Sequence, residues 1–90
     1  MADNEKDTLL EFPCEFPLKV MGATQEGFAE EVLRVVRLHA PDFEASRMEM
    51  RASSGGNYIS LTCTVNATSK EQLDRLYLAL TSHPMVKVVL

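Results

Sequence analysis

From Phe16 to Gly22 apolar and polar residues alternate, with Phe16, Leu18 and Val20 on one side and Pro17, Lys19 and Met21 on the other. That period of two predicts a strand with one buried face. Gly22 frees the backbone to turn, and Thr24 is placed to cap a helix. In that helix Phe28, Val32, Val35, Val36 and Leu38 recur at helical spacing, Glu30 and Arg34 stand four apart on the wet side, and His39-Ala40-Pro41 ends the run. Ser46 to Ala52 alternates again, Arg47, Glu49 and Arg51 against Met48, Met50 and Ala52. Ser53-Ser54-Gly55-Gly56-Asn57 is a glycine-rich hairpin loop. The clearest strand follows over Tyr58 to Ala67: Ile59, Leu61, Cys63, Val65 and Ala67 face one way, and Ser60, Thr62, Thr64 and Asn66 the other.

Thr68-Ser69-Lys70-Glu71 has capping-box spacing, with Thr68 and Glu71 as the expected partners. Leu73, Leu76, Tyr77 and Leu80 form the buried stripe of a second helix, Ser82-His83-Pro84 closes it, and Met85 to Leu90 is a last strand. The resulting order is strand, helix, strand, strand, helix, strand. A faint internal echo supports two similar halves: Val20-Met21-Gly22-Ala23-Thr24 resembles Val65-Asn66-Ala67-Thr68, and both helices end at a histidine soon followed by proline. The order predicts a split βαβ sandwich. Right-handed crossovers would put both helices on one face of a four-stranded antiparallel sheet, with the first and third strands central. The other face is then bare. By alternation it holds Lys19, Met21, Arg47, Glu49, Arg51, Tyr58, Ser60, Thr62, Thr64, Met85, Lys87 and Val89, with four bases against one acid.

Outside these elements, residues 1–8 are polar and bury too little surface to offset their ordering entropy, so we expect a mobile polar tail there and a single domain over residues 9–90. The Phe12-Pro13 and Phe16-Pro17 pairs favour an extended arm leading into the first strand. Ninety residues leave room for one core. Hydrophobic residues at 46% and charged residues at 24% are those of a globular chain. A formal charge of -4 gives no global field for phosphate binding. The charged start carries no apolar signal segment, and the apolar runs are far shorter than a bilayer span, so we expect a cytoplasmic protein with no membrane association. In that compartment Cys14 and Cys63 are expected as reduced thiols.

Catalysis would need a thiol or hydroxyl, a histidine and an orienting group together. Cys63 falls on the core face, His39 and His83 sit at helix ends where they suit the last carbonyls, and nothing is spaced to activate Cys14. The histidines and cysteines are too dispersed for a zinc site, so we expect no metal and no cofactor. Gly55-Gly56 lacks the lysine and hydroxyl of a phosphate loop. Gly22 differs: at a strand-to-helix junction, outward amides can accept an anion or polar ligand, although a tight turn explains it equally. The bare face raises RNA recognition as an alternative, but Tyr58 is the single ring placed on it, so nucleic acid is disfavoured and pairing with a second subunit is the simpler use.

Leu9-Leu10-Glu11-Phe12-Pro13, Phe16, Lys19-Val20-Met21-Gly22, Ser53 to Tyr58 and the closing Val88-Val89-Leu90 resemble the small bacterial YbeD-like family, over Leu9 to Leu90. The resemblance implies an α+β ferredoxin-like βαββαβ sandwich similar to ACT regulatory domains, with no established activity. ACT domains that sense amino acids use the loop after the first strand together with a neighbouring subunit. The matching stretch here is Met21-Gly22-Ala23-Thr24, from which the acidic or amide residue and the proline common in such loops are absent. The expectation is therefore a regulatory or adaptor module, not an enzyme, acting as a homodimer. Its candidate site for a small ligand or protein partner is Met21, Gly22, Ala23, Thr24 and Gln25. Its candidate partner or nucleic-acid face is Lys19, Arg47, Arg51, Tyr58 and Lys87.

Overall fold

A computed structural model describes residues 11–90, so the tail expected over residues 1–8 lies outside the described residues, as do Leu9 and Leu10. Strand β1 is Cys14–Ala23, helix α1 Phe28–His39, β2 Met48–Ala52, β3 Tyr58–Ala67, helix α2 Lys70–Thr81 and β4 Val88–Val89, with a single 3-10 turn at Ala45–Arg47 before β2. Every strand pairing is antiparallel and the sheet order is β2-β3-β1-β4. The α+β order expected from patterning is therefore present, with β1 and β3 central. The longest pairing runs from Cys14 opposite Ala67 to Ala23 opposite Tyr58.

Period two explains which side of the sheet carries the core. Leu18 and Val20 on β1, with Leu61, Cys63, Val65 and Ala67 on β3, are buried beneath the helices. From α1 come Phe28, Val32, Val35 and Val36, and from α2 come Leu73, Leu76 and Leu80. Phe43, in the connection after α1, is also buried and closes one end. Two residues assigned to apolar stripes are exposed instead: Leu38 at 66% and Tyr77 at 48%. Each lies at the margin of its helix stripe, where the neighbouring layer no longer reaches it.

Helix starts differ from expectation. α1 begins four residues after Thr24, behind Gly27, whose φ of 84° lies in the left-handed region open to glycine. Thr24 does not cap it, because the cap position falls at Gly27, three residues further on; the Thr24 N–H donates to the Asn57 carbonyl at 2.9 Å and ties the loop to the β2–β3 hairpin. For α2 the cap is Ser69, not Thr68: the Ser69 hydroxyl accepts from the Gln72 N–H at 3.1 Å. Gln72, not Glu71, completes the box. Its Oε1 accepts from the Thr68 N–H at 2.6 Å and from the Thr68 hydroxyl at 3.1 Å. Its Nε2 donates to the His39 carbonyl at 2.7 Å, joining the end of α1 to the start of α2. The ion pair on α1 uses Glu31, three residues before Arg34, instead of Glu30.

The last strand is shorter than Met85 to Leu90 and opposite in phase. Val88 stands beside Met21 and Val89 beside Val20, so Val89 enters the core at 6% exposure and leaves the bare face. Met85 packs against the core as well. The phase follows from backbone bonds: Lys87 donates to the Met21 carbonyl at 2.8 Å, and Lys19 and Leu90 exchange bonds at 3.1 and 2.8 Å. Because Lys19 directs both backbone groups toward β4, Pro17, two residues earlier, faces the same side beyond Leu90. A proline there leaves no donor without a partner along the strand edge.

Candidate functional site

The uncovered sheet face is built from the alternate residues of β1, β2 and β3. Across it, Glu49, Thr62 and Lys19 occupy one row, and Arg51, Ser60 and Met21 the next, as the registers dictate. Ser60, Thr62 and Thr64 are half-buried between the outer strands. A depression of about 240 Å³ is lined by Lys19, Glu49, Arg51, Ser60 and Thr62. Tyr58 lies at one end of β3 and is 52% exposed, next to Met21 and Arg51 in an adjoining hollow.

Arg47 sits in the 3-10 turn that leads into β2, and its Nη2 reaches Glu15 Oε2 at 2.7 Å. Glu15 belongs to the same face because β1 starts at Cys14, earlier than the alternation beginning at Phe16 suggested. Its carboxylate offsets one of the bases, so the face is less basic than four against one. Lys87 is exposed just ahead of β4, and it is held to β1 by its backbone, whose N–H donates to the Met21 carbonyl. The structure thus brings Lys19, Arg51 and Tyr58 around one surface, joins Arg47 to Glu15, and leaves Lys87 at the edge strand.

The loop candidates are arranged differently. Met21, Gly22 and Ala23 belong to β1, and the chain leaves the sheet at Thr24 and Gln25, both exposed. Gly22 is buried, and a Cβ built on it would meet the Met85 carbonyl and stand 2.5 Å from the Phe28 ring. Close packing of β1 against α1 and the turn before β4 therefore explains this glycine. Thr24 offers its hydroxyl and Gln25 its amide to solvent, while the Gln25 carbonyl accepts from the Phe28 N–H at 3.4 Å.

Two features carry chemistry of their own. Burial pushes the Cys63 thiol up to about 11, which keeps it protonated and poorly nucleophilic near neutrality. Cys14 is half-buried, and both cysteines are free thiols. The second feature is a cluster that joins α1 to the turn after α2. His83 accepts the Met85 N–H at Nδ1 at 3.1 Å, so its other nitrogen carries the proton toward Glu31 Oε1, also at 3.1 Å. Glu31 further binds Arg34 at 2.5 Å, and the hydrogen bonds from Arg34 and then His83 hold its carboxyl down from 4.5 to about 2. His83 was expected to serve the last carbonyls of α2; its ring instead clasps α1. Neither this cluster nor the Gln72 bridge has a signal in the sequence, because 52 residues separate Glu31 from His83 and 33 separate His39 from Gln72. Among the described residues, no group of three or more His, Cys, Asp or Glu is placed to hold a metal ion, and no helix is long and apolar enough to cross a membrane.

Residues 7–90 match a family model described as a protein of unknown function, DUF493. The chain is 59% identical over 89 residues to the UPF0250 protein RSc0326 of Ralstonia nicotianae, covering 99% of this chain and 92% of that one. It is 52% identical over 85 residues to the UPF0250 protein NE1487 of Nitrosomonas europaea, covering 94% and 98%. Among solved structures, protein HP0495 from H. pylori superposes with a TM-score of 0.73 at 12% identity, covering 90% of this chain and 85% of the other. That similarity concerns the fold alone.

Proposed function

We propose a role for this chain on the premise that it belongs to the UPF0250, or DUF493, family of small bacterial proteins, the YbeD-like family, whose function is unknown. The role is that of a non-catalytic regulatory or adaptor module, which binds a small ligand or a protein partner through the uncovered face of its sheet. One observation carries it: Lys19 and Arg51 flank half-buried hydroxyls in a depression, and neither makes an ion pair within the described chain. Charged groups left without intramolecular partners beside a concave floor are available to a partner. The buried, protonated thiol of Cys63 argues in the same direction, away from nucleophilic catalysis.

The reading extends to a homodimer working in the cytoplasm, with the loop from Met21 to Gln25 as a secondary contact region. Titration of isotope-labelled protein with pooled metabolites tests the ligand half. Amide shifts concentrated at Lys19, Arg51, Ser60 and Thr62, together with a raised melting temperature, support it. Pools that leave every amide and the melting temperature unchanged remove it. Sedimentation velocity over a range of concentrations checks the dimer.

A further inference from the structure

We infer that the depression over β3 is an oxyanion site, specific for the phosphate or carboxylate head of a small organic molecule. This deepens the binding role just proposed and rests on it. Lys19 is opposite Thr62 on one side of β3, and Arg51 is opposite Ser60 on the other. The two bases are therefore separated by about 10 Å across the sheet and about 7 Å along it, by the regular spacings of strands. The midpoint between them lies over β3 between Ser60 and Thr62, about 6 Å from each Cα by the same spacings, and a lysine or arginine side chain spans that distance. Both cations can thus converge on one anion resting on the two hydroxyls.

The donors agree with this assignment. Lysine and arginine side chains donate and do not accept, while serine and threonine hydroxyls can turn to donate. Neither the Lys19 ammonium nor the Arg51 guanidinium has a hydrogen-bonded or ionic partner among the described residues, whereas the Arg47 side chain on the same face is held by Glu15 and that of Arg34 by Glu31. Glu49 also faces the depression, in the row of Lys19 and Thr62. Its charge opposes the anion but leaves the three groups with one net positive charge. Charge-assisted bonds from an arginine and a lysine are the strong ones in such sites, and the planar guanidinium can address two oxygens at once.

The experiment is an amide-shift titration of the whole chain at constant ionic strength, with methyl phosphate in one arm and acetate in the other. Constant ionic strength keeps general screening from passing as binding. We expect saturable shifts at Ser60 and Thr62 with a dissociation constant on the order of 1 mM. Saturation by methyl phosphate at the lower concentration identifies a phosphate ester as the ligand, and the reverse order identifies a carboxylate. Arg51→Gln or Lys19→Gln should weaken binding by about tenfold, the loss of one charge-assisted contact. Glu49→Gln should tighten it several-fold, and Arg75→Gln on α2 should leave it unchanged. All four positions are exposed, so the variants keep the core intact. Shifts that rise linearly without saturating in both arms, or midpoints indifferent to Arg51 and Lys19, overturn the oxyanion site. If metabolite pools still map to this face in that case, the broader binding role stands without it; if nothing maps there, both fall.

Discussion

A single missing carbon at Gly22 lets β1 lie against α1. The space that a side chain would need is taken by the Phe28 ring and the Met85 carbonyl, and one of those is backbone that cannot swing away. Gly22→Ala should therefore destabilise the fold by about 2 kcal/mol through overpacking. A urea midpoint equal to that of the parent chain would show that the neighbours yield more easily than their packing implies. Glu31 supplies a second prediction at this scale. Its folded carboxyl titrates near 2, against 4.5 ordinarily, because the charged form accepts from Arg34 and His83. A depressed acid stabilises the folded state above its unfolded value, and that contribution fades as pH falls from about 4.5 toward 2. Melting temperature should accordingly decline through that window, and Glu31→Gln should flatten the decline. The same slope in both proteins would assign the acid sensitivity to other carboxylates. At Cys63 burial predicts slow alkylation in the native chain, with Cys14 modified first; mass mapping of the labelled peptides reads the order.

At the level of elements, the join between the two helices depends on Gln72, whose side chain meets two donors and one acceptor at once. Its amide oxygen takes the backbone and hydroxyl of Thr68, while its amide nitrogen supplies the carbonyl at the end of α1. Gln72→Ala should cost about 1 to 2 kcal/mol, since a half-buried carbonyl and a helix-start amide lose partners together. Ser69→Ala should cost about 1 kcal/mol as the loss of an N-cap. Thr68→Ala should cost less than either, because its backbone N–H bond survives the change. Chemical denaturation of the three variants ranks them, and a larger loss at Thr68 than at Ser69 would restore the cap first read from the spacing. That reading slipped by one residue because Thr68-x-x-Glu71 and Ser69-x-x-Gln72 both satisfy the same local rule. The one adopted is the one whose Gln72 also reaches the His39 carbonyl on the other helix. Thr24 has a cap's hydroxyl but lies three residues ahead of the cap position at Gly27, its amide bound to Asn57 in the hairpin.

Over the whole molecule, charge decides between kinds of partner. The chain carries a net charge of -4, Arg47 is neutralised by Glu15, and Tyr58 supplies the ring on the open face among the described strands. Mixed oligonucleotides at low salt should therefore run unretarded in gel-shift assays, since affinity for nucleic acid needs several uncompensated bases. A retarded band abolished by Lys19→Glu would favour the RNA reading instead. The remaining open-face charges suit a compact anion better than a polyanion, because the unpaired bases converge on one depression and do not run along a track.

Local periodicity by itself determined the strand and helix order, the core face of β1 and β3, and the existence of a bare face. Those follow from side chains alternating or recurring within one element, whatever lies elsewhere in the chain. The end of the chain offered no such guide: Met85, Val86, Val88, Val89 and Leu90 are apolar on both phases, interrupted only by Lys87. Bonds from Lys87 to Met21 and between Leu90 and Lys19 chose the phase that buries Val89. Tertiary structure likewise placed Glu15 beside Arg47, His83 beside Glu31, and Lys19 with Arg51 around one floor. Each of these depends on strand register or on helix docking between distant segments, and neither is encoded in the spacing of neighbours.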